Sequence, residues 1–190
     1  MKNTVLMAMI AFVLLMFVST KQAEANDILR FISGTYSHRN FTTGQVSDEM
    51  IQQILAAGHQ AGSAGNQQHW HFSVVRNRAL INEILPNVHD GNVLILGLGP
   101  NQSRFHQDII VFDNGLALQN MFLAAQSLGL GTRMYLSPLP HLSANLLPRL
   151  GAPENHRVIM VLRIGHITPP DATSQASPRQ PLASRVNYIN

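Results

Sequence analysis

Between Val46 and Ala61 the sequence VSDEMIQQILAAGHQA sets Met50, Ile51, Ile54 and Leu55 on one side of a 3.6-residue period, which predicts an amphipathic helix. Ser47 stands at the N-cap position, and Asp48 and Glu49 suit the positive end of the helix dipole. WHFSVVR, 70–76, has strand character. Arg78 to Leu85 reads as a short helix stopped by Pro86, and Asn92 to Leu98 as a buried strand. The longest helical signal is DIIVFDNGLALQNMFLAAQSL, 108–128, with Gly129 as its C-cap. It is apolar on nearly every face, so it must be enclosed by its own domain or by a second subunit. Periodicity alone leaves both open. HRVIMVLRI, 156–164, is another buried strand, and Thr168 to Pro181, rich in Pro, Ser, Ala and Gln, predicts an extended arm. The order α–β–α–β–α–α–β–arm, without internal repeats, predicts one α+β domain of three layers.

The first 25 residues stand outside that pattern. Lys2 is followed by an apolar run of 14 residues, Val5 to Val18, and then by Ala23-Glu24-Ala25. The run is shorter than the ~20 residues of a spanning helix, and the small-x-small triplet fits a signal-peptidase site. Residues 1–25 are therefore expected to be a signal peptide, with 26–190 as the mature domain, exported to a periplasm or secreted. An uncleaved membrane anchor is the alternative.

The chain has no cysteine, which excludes disulfides, thiol catalysis, a lipoprotein anchor and cysteine-ligated metal. Without Lys2, Lys21 and Glu24 the charge is +2. That weak excess, with no dense basic run, argues against a nucleic-acid partner.

Residues 61–70, AGSAGNQQHW, concentrate the chemistry-bearing side chains. Ser63 fails as a nucleophile elbow, because Ala61 stands where glycine is needed and the context is helix-to-strand. Gly97-Leu98-Gly99 and Gly129-Leu130-Gly131 lack the third glycine of a dinucleotide fingerprint. His69-x-His71 places two rings on one face of a strand, but no third ligand lies at a metal-site spacing, so no metal is expected. What remains is a cradle for an anion or a heterocycle. Small residues let backbone N–H groups approach a ligand, and Asn66 adds a donor and an acceptor. Upstream, TYSHRNF at 35–41 offers Ser37 and Arg39, which point the same way in an extended segment, a geometry suited to phosphate. Arg179 and Arg185 lie near the end of the arm. For any one of these arginines a solvated surface charge is the plainer reading. Trp70 is expected to anchor the following strand in the core.

Together these pieces resemble the FMN-dependent nitroreductase family. Thr35-x-Ser37-x-Arg39-x-Phe41 is similar to its opening motif, except that Thr35 stands in place of a basic residue. Ala61 to Trp70 resembles its A-P-S-x-x-N-x-Q-P-W loop, with Gly62 and His69 in place of the two prolines. Gln119 to Thr132 resembles the end of its long helix, and SPRQPL at 177–182 its R-x-P-L signature.

The resemblance implies a three-layer α-β-α fold with a central mixed or antiparallel sheet and the long helix buried at a homodimer interface. It implies an FMN-dependent oxidoreductase with ping-pong transfer from a reduced donor, NAD(P)H where available, to nitroaromatic, quinone or similar acceptors. The alternative is a non-catalytic flavin- or ligand-binding module on the same fold. Ser37, Arg39 and Arg179 would hold the FMN phosphate and ribityl chain. Asn66, with Ser63 and Gln68, would face the flavin, and the backbone at Tyr135, Leu136 and Ser137 would lie against the isoalloxazine. No protein side chain is expected to be catalytic, since flavin N5 carries the chemistry.

Overall fold

The computed structural model describes residues 27–103, 106–139, 142, 145–168 and 177–189. The chain divides into two units, residues 1–35 and 36–190. In the first, a helix over 27–34 (α1) carries an Arg30–Asp27 pair at 3.1 Å. Thr35 closes its end by donating its hydroxyl to the Ile32 carbonyl at 2.9 Å. The expected signal peptide, 1–25, lies outside the described residues.

The second unit runs α2 (Asp48–His59), β1 (His71–Val75), α3 (Arg78–Ile84), β2 (Val93–Pro100), α4 (Gln107–Ser127), β3 (Gly131–Tyr135), α5 (Leu146–Arg149) and β4 (His156–Gly165). Ser47 caps α2 as predicted, its hydroxyl accepting the Met50 N–H at 3.2 Å. The strands pair in the order β1-β2-β4-β3, each neighbour antiparallel. Strand alternation sorts β2 between two cores. Val93 and Ile95 join Ile51, Ile54, Leu118 and Met121 of α2 and α4 on one face. Leu94, Leu96 and Leu98 join Ile81, Ile84 and Leu146 of α3 and α5 on the other. The result is the expected three-layer α+β arrangement, and the described sheet is wholly antiparallel.

One expectation changes. The sequence order places a second helix directly after the long one. The chain instead forms β3 and only then the four-residue α5. GTRMY is too short to show alternation, and its strand state comes from pairing with β4, Gly131 against Gly165 through Tyr135 against Val161. Gly97 and Gly99, excluded above as a nucleotide motif, serve packing. A Cβ at Gly97 would lie 2.7 Å from Leu118 Cδ1, and one at Gly99 2.6 Å from Ile110 Cγ2. The glycines let α4 seat directly on β2, beside a register shift at Gly97/Leu98.

Helix α4 ends as predicted. Gly129 has φ +77° and the Leu130 N–H returns to the Ala125 carbonyl at 3.0 Å. Its inner face is fully buried at Ile110, Ala117, Leu118, Met121 and Ala125, while Val111, Phe112 and Leu116 are exposed, Phe112 by 64%. This chain alone therefore encloses one side of the helix. No helix among the described residues is long and apolar enough to cross a membrane. Of the arm, residues 177–189 are described and are exposed throughout, with a short turn at Leu182–Ser184.

Candidate functional site

The segment 36–41 is extended beside the start of β3. The His38 N–H donates to the Thr132 carbonyl at 2.9 Å, and the Thr132 N–H returns to His38 Nδ1 at 3.2 Å. Phe41 bridges to Ile167. His38 is buried while Ser37 and Arg39 on either side are exposed, so the hydroxyl and the guanidinium do share one solvent-facing side. Among the described residues Arg39 enters no ion pair. Gln126, near the end of α4, ties the segment down by donating to the Tyr36 carbonyl at 2.9 Å and to Thr132 Oγ1 at 2.7 Å. The Tyr36 and His38 rings lie 4.1 Å apart. Burial holds the His38 imidazole below its ordinary value of 6.5.

The loop 61–70 has a different construction. Gly65, Asn66 and Gln68 have φ of 56°, 53° and 49°, a left-handed path that glycine and asparagine adopt readily and glutamine seldom does. Ser63 organises the turn. Its carbonyl accepts the Asn66 N–H at 3.0 Å and its hydroxyl the Gln68 N–H at 2.9 Å. The serine that invites a nucleophilic reading is thus a backbone brace. Asn66 and Gln68 are exposed and joined, Gln68 Nε2 to Asn66 Oδ1 at 3.2 Å. Trp70 is buried as expected, its ring parallel to Phe72 and its Nε1 on His59 Nδ1 at 3.3 Å. His69 and His71 belong to no metal-binding group among the described residues.

The loop is anchored to α4 through Asp113, a fully buried carboxylate. Asp113 Oδ1 accepts the Ala64 N–H at 3.1 Å, and Oδ2 lies 2.8 Å from His69 Nδ1. The far side of the ring, Nε2, is 3.3 Å from Ser103 Oγ. Sequence reading passed over Asp113, although it is the only charged residue between Ile109 and Leu128. A lone carboxylate inside an apolar helix signals a buried partner. His38 and Gln126 were missed too, and nothing in their sequence context marks them.

The remaining predicted residues fall in two places. Tyr135 ends β3, half-buried, with the Arg133 guanidinium 5.0 Å from its ring centroid. Leu136 and Ser137 follow in the exposed turn, Leu136 at 59% exposure. Arg179 is exposed and donates to the Ser177 carbonyl of its own segment at 2.8 Å. No described contact brings it to Ser37 or Arg39. The two polar segments are tied to α4 at Gln126 and at Asp113, anchors separated by ~20 Å at 1.5 Å per residue. One chain therefore holds them well apart.

These residues suit a flavin mononucleotide. An exposed cation and hydroxyl share one side, an exposed apolar side chain follows β3, and a left-handed loop exposes the Asn66 amide.

Comparison with known proteins agrees. The nitroreductase family profile matches residues 32–97 and 100–166. An Archaeoglobus fulgidus protein, named as a candidate NADH dehydrogenase/NAD(P)H nitroreductase, is 34% identical over 150 residues, covering 74% of this chain and 85% of that one. A Vibrio harveyi NADPH-flavin oxidoreductase is 28% identical over 82% of this chain and 71% of its own. Among solved structures, a protein named as a candidate nitroreductase, in complex with FMN, from Desulfovibrio desulfuricans superposes with a TM-score of 0.72 at 29% identity, over 86% of this chain and 96% of that one. The FMN-bound nitroreductase of Desulfitobacterium hafniense does so with a TM-score of 0.70 at 26% identity, over 85% and 97%. With the family profile spanning most of its length and the fold superposing on FMN-bound members, this chain belongs to the nitroreductase family.

Proposed function

We propose that the chain is an FMN-dependent oxidoreductase that takes reducing equivalents from a reduced donor, NAD(P)H where available, and passes them to nitroaromatic, quinone or similar acceptors. The observation that carries this reading is the exposed Ser37–Arg39 pair, alternating around buried His38, in a member of a family whose solved structures include FMN complexes. Bound FMN supplies the redox chemistry, accepting and releasing hydride or electrons. The chain's own residues bind and orient it. Arg39 would meet the phosphate with a charge-assisted contact and Ser37 with a hydroxyl. Asn66, with Ser63 and Gln68, would face the ring system. Tyr135, Leu136 and Ser137 would lie against the isoalloxazine, Leu136 offering an exposed apolar side chain. Arg179 would reach the phosphate from the arm. Donor and acceptor share one slot in turn, so kinetics are ping-pong.

The reading also calls for a homodimer. The exposed stripe of Val111, Phe112 and Leu116 on α4 and the wide separation of the two polar segments both support a second copy completing each site. Phe112→Asp should turn a dimer into a monomer on light scattering; a wild-type monomer that binds FMN sinks the dimer. Residues 1–25 act as a signal peptide, placing the enzyme outside the cytoplasm. There a donor other than cytoplasmic NAD(P)H must serve. N-terminal sequencing of the exported chain should begin at Asn26, and an intact Met1 overturns it.

The visible spectrum tests the central reading. Purified protein should be yellow or take up FMN, bleach with dithionite and recover with a quinone. A colourless chain that takes up no FMN overturns it. Thr35 favours one rival, a non-catalytic flavin-binding module, because its hydroxyl is engaged at Ile32 rather than offered to a phosphate. A yellow protein that no acceptor reoxidises would support that rival. Arg39→Ala should weaken FMN binding by ~1.5–3 kcal/mol without moving the melting temperature.

A further inference from the structure

The loop from Ala61 to Trp70 contains no proline, yet it holds three residues in left-handed backbone. Such a path reverts to ordinary conformations unless the surroundings impose it. The internal hydrogen bonds of Ser63 brace only the turn itself. Asp113 ties the turn to α4. Its two oxygens take the Ala64 N–H and the His69 ring, the residues that bracket the left-handed stretch on either side. The carboxylate is wholly buried and the His69 side chain is 8% exposed. Releasing the loop would strand a carboxylate without partners, which costs far more than an exposed pair would. The platform is rigid as well, since the next residue, Asn114, packs against the glycines of β2. Ser103 Oγ behind Nε2 fixes the ring from its other side.

We propose that His69 and Asp113 form a positioning clamp for the flavin-facing loop, holding Asn66 where it meets the isoalloxazine. The clamp thereby sets both the affinity and the reduction potential of bound FMN. This rests on the FMN reading above. Neither residue touches the flavin; both act through the loop backbone and Asn66.

His69→Leu and His69→Asn separate the clamp from its rivals. Asparagine keeps a side-chain N–H near the place of Nδ1, whereas leucine fills the space without a donor. In the flavin-free protein, amide exchange over 61–70 should quicken about tenfold in His69→Leu, the scale of one lost charge-assisted hydrogen bond, and about twofold or less in His69→Asn. In the FMN-loaded protein, His69→Leu should weaken FMN about tenfold and shift its midpoint potential, with His69→Asn restoring both. If His69→Leu does not fold, Ser103→Ala takes its place, with an expected loss of about two- to threefold. Unchanged exchange overturns the clamp whether or not the protein binds FMN. Quickened exchange with wild-type affinity and potential overturns its bearing on the flavin. A wild-type chain that refuses FMN removes the parent reading, and the positioning role with it.

Discussion

His38 is buried and His69 half-buried, and one accepts a hydrogen bond where the other donates. His38 Nδ1 receives the Thr132 N–H, while His69 Nδ1 faces the Asp113 carboxylate, an acceptor. Each secures one polar segment of the site, at opposite ends of α4. The His38 segment is strand-like and shares its hold with backbone pairing at Thr132 and Ile167. The His69 loop has no strand partner among the described residues; two contacts with one carboxylate hold it to α4, and Ser103 meets the far side of the His69 ring. Extended backbone can distribute its anchoring along a sheet edge. A left-handed turn offers no such row of groups to a neighbouring strand, and here a buried carboxylate anchors it.

Removing that charge should have the largest effect. Asp113→Ala leaves the Ala64 N–H and the His69 ring without their acceptor in a buried place, and should cost ~3–5 kcal/mol in urea unfolding. A loss under about 1 kcal/mol would show that the loop is held by other means.

His38→Leu strands the Thr132 N–H and should cost ~1–3 kcal/mol. His38→Asn, which keeps an acceptor, should cost less and should also change the pH response. Folded His38 resists protonation below its ordinary 6.5, whereas the unfolded chain takes the proton there. The unfolded state then binds more protons, so His38 makes stability fall as pH drops through and below about 6.5 and leaves it flat above. Urea titrations should show wild type losing more stability than His38→Asn between neutral and mildly acidic pH. Parallel curves would mean that His38 is not the group responsible.

The smallest effect is expected at Ser63. Ser63→Ala removes only the hydroxyl that accepts the Gln68 N–H in a partly solvated turn, for ~0.5–1.5 kcal/mol. A loss as large as that of Asp113→Ala would move the centre of the loop's stability from the clamp to the turn.

By itself the sequence determined the elements whose signals are local. The Ser47 cap, the Gly129 terminus, the long apolar helix and the buried strands all lie where cap chemistry and periodicity put them. The exposure of Ser37 and Arg39 on one side followed from extended geometry alone. Tertiary structure decided the rest. β3 became a strand because β4 offered an edge to a five-residue segment with no pattern of its own. Gly97 and Gly99 acquired their purpose only when α4 came down on them. Arg179 has its predicted neighbours in no described contact, so its place in the site stays a proposal. Asp113 was visible as an anomaly in an apolar helix, but its partners at Ala64 and His69 lie more than forty positions away. Contacts at that separation leave no periodic trace, because they depend on which faces two distant elements turn to each other.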